Sequence, residues 1–107
     1  TYSAAIYKKG ITDLGDAQKA KYDRIVEVLE IKPGDHVLEI GCGWGGFFSH
    51  AVEKTGCKVT AVMNSAEQAR HNQKLIDQKG IKSHVNLVKQ DYRDIEGRFD
   101  KVVSIEM

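Results

Sequence analysis

The chain has 107 residues, 41% of them hydrophobic and 29% charged, with 16 basic residues against 15 acidic ones and a net charge of +1. That length bounds it to one domain with a modest core, and the near balance of charge leaves no footprint for nucleic acid or an anionic membrane surface. No apolar run approaches the roughly 18 residues that span a bilayer, and the opening Thr1-Tyr2-Ser3-Ala4-Ala5 has no basic region followed by an apolar stretch, as a signal peptide would.

Residues 1–15 read as an N-terminal arm, with Gly10 and Gly15 interrupting any long helix. A helix is expected from Asp16, as N-cap, to about Leu29, with Ala20, Ile25, Val26 and Leu29 inside and Asp23 and Glu27 in water. Lys32-Pro33-Gly34-Asp35 is a turn by composition, and a first strand follows at 36–40. A second helix should start within 45–47 and stop at Gly56, presenting Phe47, Phe48, Ala51 and Val52 inward. A β-branched strand at 58–63 leads to Ser65-Ala66-Glu67-Gln68, which matches a capping box for a helix ending at Lys79-Gly80. Strands at 85–89 and 101–105 complete the series, with Gln90-Asp91-Tyr92-Arg93-Asp94 between them. Alternating strands and helices in this order make right-handed crossovers in a parallel sheet, an α/β architecture. The chain lacks an initiator Met and stops at Met107 directly after a strand, so a piece of a longer protein is expected.

The most informative stretch is Val37-Leu38-Glu39-Ile40-Gly41-Cys42-Gly43-Trp44-Gly45-Gly46: a short strand, an acid near its end, then four glycines in six residues. Such a strand–turn–helix is how an open α/β sheet builds a nucleotide-binding crevice. Gly41, Gly43 and Gly46 satisfy the dinucleotide pattern G-x-G-x-x-G, which alone is weak. That reading also wants an acid about 20 positions on, for the ribose; here the second strand ends in Met63-Asn64. Glu39, Gly41, Gly43 and Gly45 instead satisfy E-x-G-x-G-x-G, the pattern of methyltransferases that use S-adenosyl-L-methionine. Glu39 can act on that cofactor's amino-acid tail, directly or by orienting the loop, and backbone N–H groups of the turn can meet its carboxylate. Cys42 and Cys57 form no C-x-x-C pair and read as reduced thiols of a cytoplasmic protein. His36, His50, His71 and His84 have no metal-ligand spacing, and His50 and His71 read as wet helix-surface residues.

The runs VLEIGCGWGGF at 37–47, GCKVTAV at 56–62 with SAEQ at 65–68, and QDYRDIEGRFDKVVSIEM at 90–107 resemble the cyclopropane-fatty-acyl-phospholipid synthase family. The resemblance covers essentially the whole chain, and the glycine block together with the DYRD block is far more specific than the glycines alone. It implies a Rossmann-like class I methyltransferase fold, a parallel sheet with helices on both faces, of which this chain carries the N-terminal, cofactor-binding part through the fourth strand. Position by position it implies Gly41 and Gly43 against S-adenosyl-L-methionine and Tyr2 and Ser3 over its amino-acid end. It implies Met63, Asn64 and Gln68 near the ribose, Asp91 and Tyr92 flanking the adenine, and Ile105 along the fourth strand.

The same resemblance implies methyl or methylene transfer to a lipid acyl chain or a related small acceptor. The family closes its cyclopropane ring with a bicarbonate held partly by a Cys of its Tyr-Ser-Cys segment. Ala4 stands at that position here, which favours simple methylation. No catalytic base is identified; Asp94 reads as a surface carboxylate and Glu106 as a carboxylate near the crevice. The competing classes are a non-catalytic module that binds S-adenosyl-L-methionine and an NAD-binding oxidoreductase domain. No metal is implied, and membrane contact by a longer protein is left open.

Overall fold

The computed structural model describes residues 14–105. The elements run α1 (Leu14–Val28), β1 (His36–Ile40), α2 (Gly46–Thr55), β2 (Lys58–Met63), α3 (Ala66–Lys79), β3 (Val85–Lys89) and β4 (Lys101–Ser104), with single 3-10 turns at Lys82–His84 and Tyr92–Asp94. All four strands pair in parallel, in the order β3-β2-β1-β4. β1 is therefore central, and the chain reverses its direction of travel across the sheet between β3 and β4. In an open α/β sheet such a switch point, at the carboxyl ends of the strands, is where a crevice forms.

Each helix boundary has a local cause. α1 begins two residues before the expected cap, so Asp16 lies inside it; one early glycine, Gly15, costs a helix only about 1 kcal/mol and does not stop it. It ends in a Schellman turn, with Ile31 N–H donating to the Val26 carbonyl and Glu30 N–H to that of Glu27, and Glu30 carrying the left-handed φ of 53°. α2 stops at Gly56 and α3 at Gly80, both left-handed as a C-terminal glycine requires. Ser65 caps α3 by accepting the Gln68 N–H at 3.2 Å.

The core lies between α1, α2 and α3 and one face of the sheet. Tyr22 and Val26 of α1, Phe47, Phe48, Ala51 and Val52 of α2 and Ile76 of α3 pack with Val37, Val59, Ala61, Met63 and Val103. Those strand residues are all odd-numbered, so they share one side of the pleat. Among the described residues the helices thus cover a single face of the sheet, where the sequence leads us to expect helices on both. On the other side, the segment between β3 and β4 lies near the start of β1, where Phe99 meets the His36 ring edge-on at 4.7 Å. Val102, on that side of β4, is 56% exposed.

Polar contacts tie the amino ends of the strands together. Asp35 accepts from Lys32 N–H and from Lys101 Nζ, so a turn residue ahead of β1 reaches the start of β4. Those two donors, the backbone one foremost, hold its carboxyl below the ordinary range. His36 and Asp100 exchange two bonds, His36 N–H to the Asp100 carboxylate and Asp100 N–H to the His36 carbonyl. His50 corrects its expected place in water: it is half-buried, with Nε2 2.6 Å from Asp23 Oδ1, which also takes Lys54 Nζ at 2.8 Å. Asp23 was expected simply to face water, yet it is the acid that joins α1 to α2, and Lys54 and His50 lower its pKa.

Candidate functional site

A cavity of about 330 Å³ opens at the carboxyl ends of β1, β2 and β3. Its lining includes Gly41, Met63, Asn64, Asp91 and Tyr92, five of the expected cofactor residues, together with Gln90 and Arg93. The volume is at the low end of the usual range for small-molecule sites, roughly 300–1,000 Å³.

Of the glycine run only Gly41 lines the cavity, Gly43 and Gly45 lying outside its lining, and the glycines serve different ends. Gly41, Gly43 and Gly45 have φ of 72°, 54° and 85°, a left-handed path that side chains with a Cβ resist. Two successive N–H groups, those of Gly41 and Cys42, donate to the Val62 carbonyl at 2.9 and 3.0 Å, which pins the start of the loop to the end of β2. Gly45 N–H closes the turn onto the Cys42 carbonyl at 3.0 Å. Those three N–H groups are therefore not the ones offered to a ligand. Among the described residues, no hydrogen bond takes the N–H of Gly43, Trp44 or Gly46.

Gly45 is buried, and a Cβ there would meet Leu75 at 2.7 Å, Phe48 at 2.8 Å and Asn72 at 2.9 Å. A Cβ at Gly46 would meet the Tyr22 hydroxyl at 2.5 Å. Packing against α3 and α1 therefore accounts for both residues. These are the two glycine positions at which the dinucleotide and methyltransferase patterns differ, so neither glycine by itself distinguishes the cofactors.

Glu39 is 1% exposed and sits on the helix-covered side of β1, opposite Ala61 and Val103. It lies beneath the loop rather than along the cavity wall, a position suited to orienting the loop. Met63 serves two purposes, as a core residue 3% exposed and as part of the wall. Asn64 and the Tyr92 ring are exposed at the rim. Gln68 is half-buried on α3 outside the lining; its backbone N–H, not its side chain, makes the cap bond. Ile105 follows β4 and packs on the core. Tyr2, Ser3, Ala4 and Glu106 lie outside the described residues.

Asp91 is held by its neighbour but one. Its Oδ1 accepts from Arg93 N–H and Nε, and its Oδ2 from Nε and Nη2. The guanidinium and then the backbone N–H bring its pKa down to about 2, and the carboxylate's roughly four acceptor positions are filled. Arg93 escaped the sequence reading, although an Arg two places after an Asp at the start of a turn is a visible signal. Asn72 escaped it too: it is a polar residue four places before Ile76, on the stripe that α3 turns inward. Among the described residues no group of three or more His, Cys, Asp or Glu could hold a metal ion, and no helix is long and apolar enough to cross a membrane.

The chain is 42% identical over 106 residues to the cyclopropane-fatty-acyl-phospholipid synthase of Escherichia coli (strain K12), covering 99% of this chain and 26% of that protein. It is 40% identical over 106 residues to a probable fatty acid methyltransferase of Mycobacterium tuberculosis, covering 98% and 25%. The chain thus spans about a quarter of the length of such relatives. Among solved structures, mycolic acid cyclopropane synthase CmaA1 complexed with SAH and CTAB superposes with a TM-score of 0.88 at 32% identity, over 97% of this chain and 36% of that one. Coclaurine N-methyltransferase bound to N-methylheliamine and SAH superposes with a TM-score of 0.84 at 28% identity, over 94% and 30%. The family described as mycolic acid cyclopropane synthetase matches residues 1–107, and the chain belongs to that family.

Proposed function

We propose that this chain is the cofactor-binding part of an S-adenosyl-L-methionine-dependent methyltransferase, whose longer form passes a methyl or methylene group to a lipid acyl chain or a related small acceptor. The observation that carries the reading is the cavity at the ends of β1, β2 and β3, which joins the glycine turn to Met63, Asn64, Asp91 and Tyr92. Its chemistry fits the cofactor. The turn leaves N–H donors for a carboxylate, Asn64 offers an amide to a ribose diol, and Tyr92 presents a ring face to a purine. No carboxylate stands at the end of β2, where a dinucleotide fold would hold the ribose.

When bound, the cofactor supplies an activated methyl group, and the protein supplies placement. This chain's share is to fix the donor for in-line approach of an acceptor: the turn holds one end and the rim residues the other. Glu39 stiffens the loop from below, Ile105 adds to the enclosure, and Tyr2 and Ser3 are assigned to the cofactor's amino-acid end. Ala4 offers no polar side chain to an anion, so plain methylation is favoured over ring closure. The setting proposed is cytoplasmic, in lipid modification, with membrane contact made by the longer protein during turnover.

Isothermal titration of the chain with S-adenosylhomocysteine and, separately, with NAD tests the cofactor. Saturable binding of the first and none of the second is expected. Binding of NAD alone would overturn the reading.

A further inference from the structure

α3 turns two residues fully inward, Asn72 and Ile76. One is therefore polar, at a position where burial costs free energy unless a hydrogen bond offsets it. Asn72 is 0% exposed, and its Nδ2 donates to the Gly43 carbonyl at 2.9 Å, with a longer contact to Cys42 Sγ at 3.5 Å. Its Oδ1 has no hydrogen-bond partner among the described residues and would lie 2.9 Å from a Cβ at Gly45. The amide therefore has one orientation: turned over, it would set an oxygen against the Gly43 carbonyl.

The bond fixes a peptide plane in the middle of the turn. In a trans peptide the C=O and the following N–H point in opposite directions. With the Gly43 carbonyl drawn in toward α3, the Trp44 N–H is turned outward, away from the helix. No hydrogen bond among the described residues takes that N–H. The next residue repeats the attachment by another means, since the His71 ring of α3 meets Trp44 edge-on at 5.1 Å. Two consecutive residues of α3 thus hold two consecutive residues of the loop, one by its backbone and one by its ring.

We propose that Asn72 is a positioning residue for cofactor binding, acting through the Gly43–Trp44 peptide and touching no ligand itself. The proposal rests on the cofactor reading above. It makes α3 a frame for the turn, and it explains a polar side chain in an otherwise apolar contact.

The test compares the full chain with Asn72→Leu and Asn72→Asp. It measures affinity for S-adenosylhomocysteine by calorimetry at several pH values, and Tm by circular dichroism. Asn72→Leu keeps the branched shape and number of heavy atoms and removes the donor, so it is expected to retain Tm within a few degrees while binding about tenfold more weakly. Asn72→Asp faces the Gly43 carbonyl with an acceptor when ionised and a donor when protonated. Its deficit relative to the unsubstituted chain at the same pH should shrink as pH falls, because burial raises a carboxyl pKa. A merely structural role would move Tm with pH in step with affinity, whereas a positioning role moves affinity at pH values where the variant's Tm shows it folded. Unaltered affinity in folded Asn72→Leu overturns the proposal, as does a deficit in Asn72→Asp that ignores pH. Binding of S-adenosylhomocysteine by none of the three chains overturns the cofactor reading and this proposal together.

Discussion

Gly45 and Gly56 are both left-handed glycines, yet their surroundings differ. Around Gly56 nothing lies within 4 Å of an added Cβ, whereas at Gly45 three side-chain atoms lie within 3 Å of it. Gly56→Ala is expected to cost about 1 kcal/mol, the left-handed penalty alone, and Gly45→Ala about 3 kcal/mol, with overpacking added. Urea unfolding of the two variants measures the difference; equal costs would refute the packing account. Asn64 gives a second residue-scale expectation: an ionised carboxylate bonds a ribose hydroxyl more strongly than an amide. Asn64→Asp should therefore bind S-adenosylhomocysteine more tightly by calorimetry, and weaker binding counts against Asn64 as a ribose contact. Asp91 gives a third. Arg93 lowers its folded pKa to about 2, below an unfolded value near 3.9. The stabilisation it contributes is present above about pH 4 and fades as pH falls through about 2. Carbon NMR titration should place the Asp91 midpoint near 2, and Arg93→Ala should return it toward 3.9.

At the scale of elements, the α3 cap is legible and testable. Ser65 precedes the helix and takes the Gln68 N–H, so Ser65→Ala should destabilise the chain by about 1 kcal/mol in thermal unfolding. The strands were readable because β-branched residues cluster in them and Gly, Pro and Asp-rich turns bound them. α2 was readable because Phe47, Phe48, Ala51 and Val52 fall on one helical face and Gly56 ends it. α1 was less so. Its start at Leu14 passes over Gly15, and Ala17 and Tyr22 are buried in it, although neither stood out in the sequence. Tyr22 is inside because Gly46 makes room for its hydroxyl, a dependence between two helices that a reading of one helix misses.

At the scale of the whole molecule, one face of the sheet carries all three helices, and among the described residues the other carries only the segment between β3 and β4. Adjacent residues of β4 report that asymmetry: Val103 is 5% exposed in the core and Val102 is 56% exposed. Val103→Thr should cost about 2 kcal/mol by burying a hydroxyl, while Val102→Thr should stay within about 0.5 kcal/mol. Chemical denaturation of both variants checks this, and similar costs would mean that the second face is covered in solution.

The sequence by itself determined the strand–helix order, the crevice-forming glycine turn and the family resemblance. These depend on local periodicity, turn chemistry and short motifs, which are properties of neighbours in the chain. The lining of the cavity was half legible for the same reason: Gly41, Met63, Asn64, Asp91 and Tyr92 each end a strand or come within three residues after one. What only the tertiary structure decided is how the turn is held. Gly45 is small because of Leu75, Phe48 and Asn72; Gly46 is small because of Tyr22; the Gly43 carbonyl is fixed by a side chain 29 residues away. Those relations join residues distant in sequence, and only close packing of α1 and α3 around the turn brings them into contact.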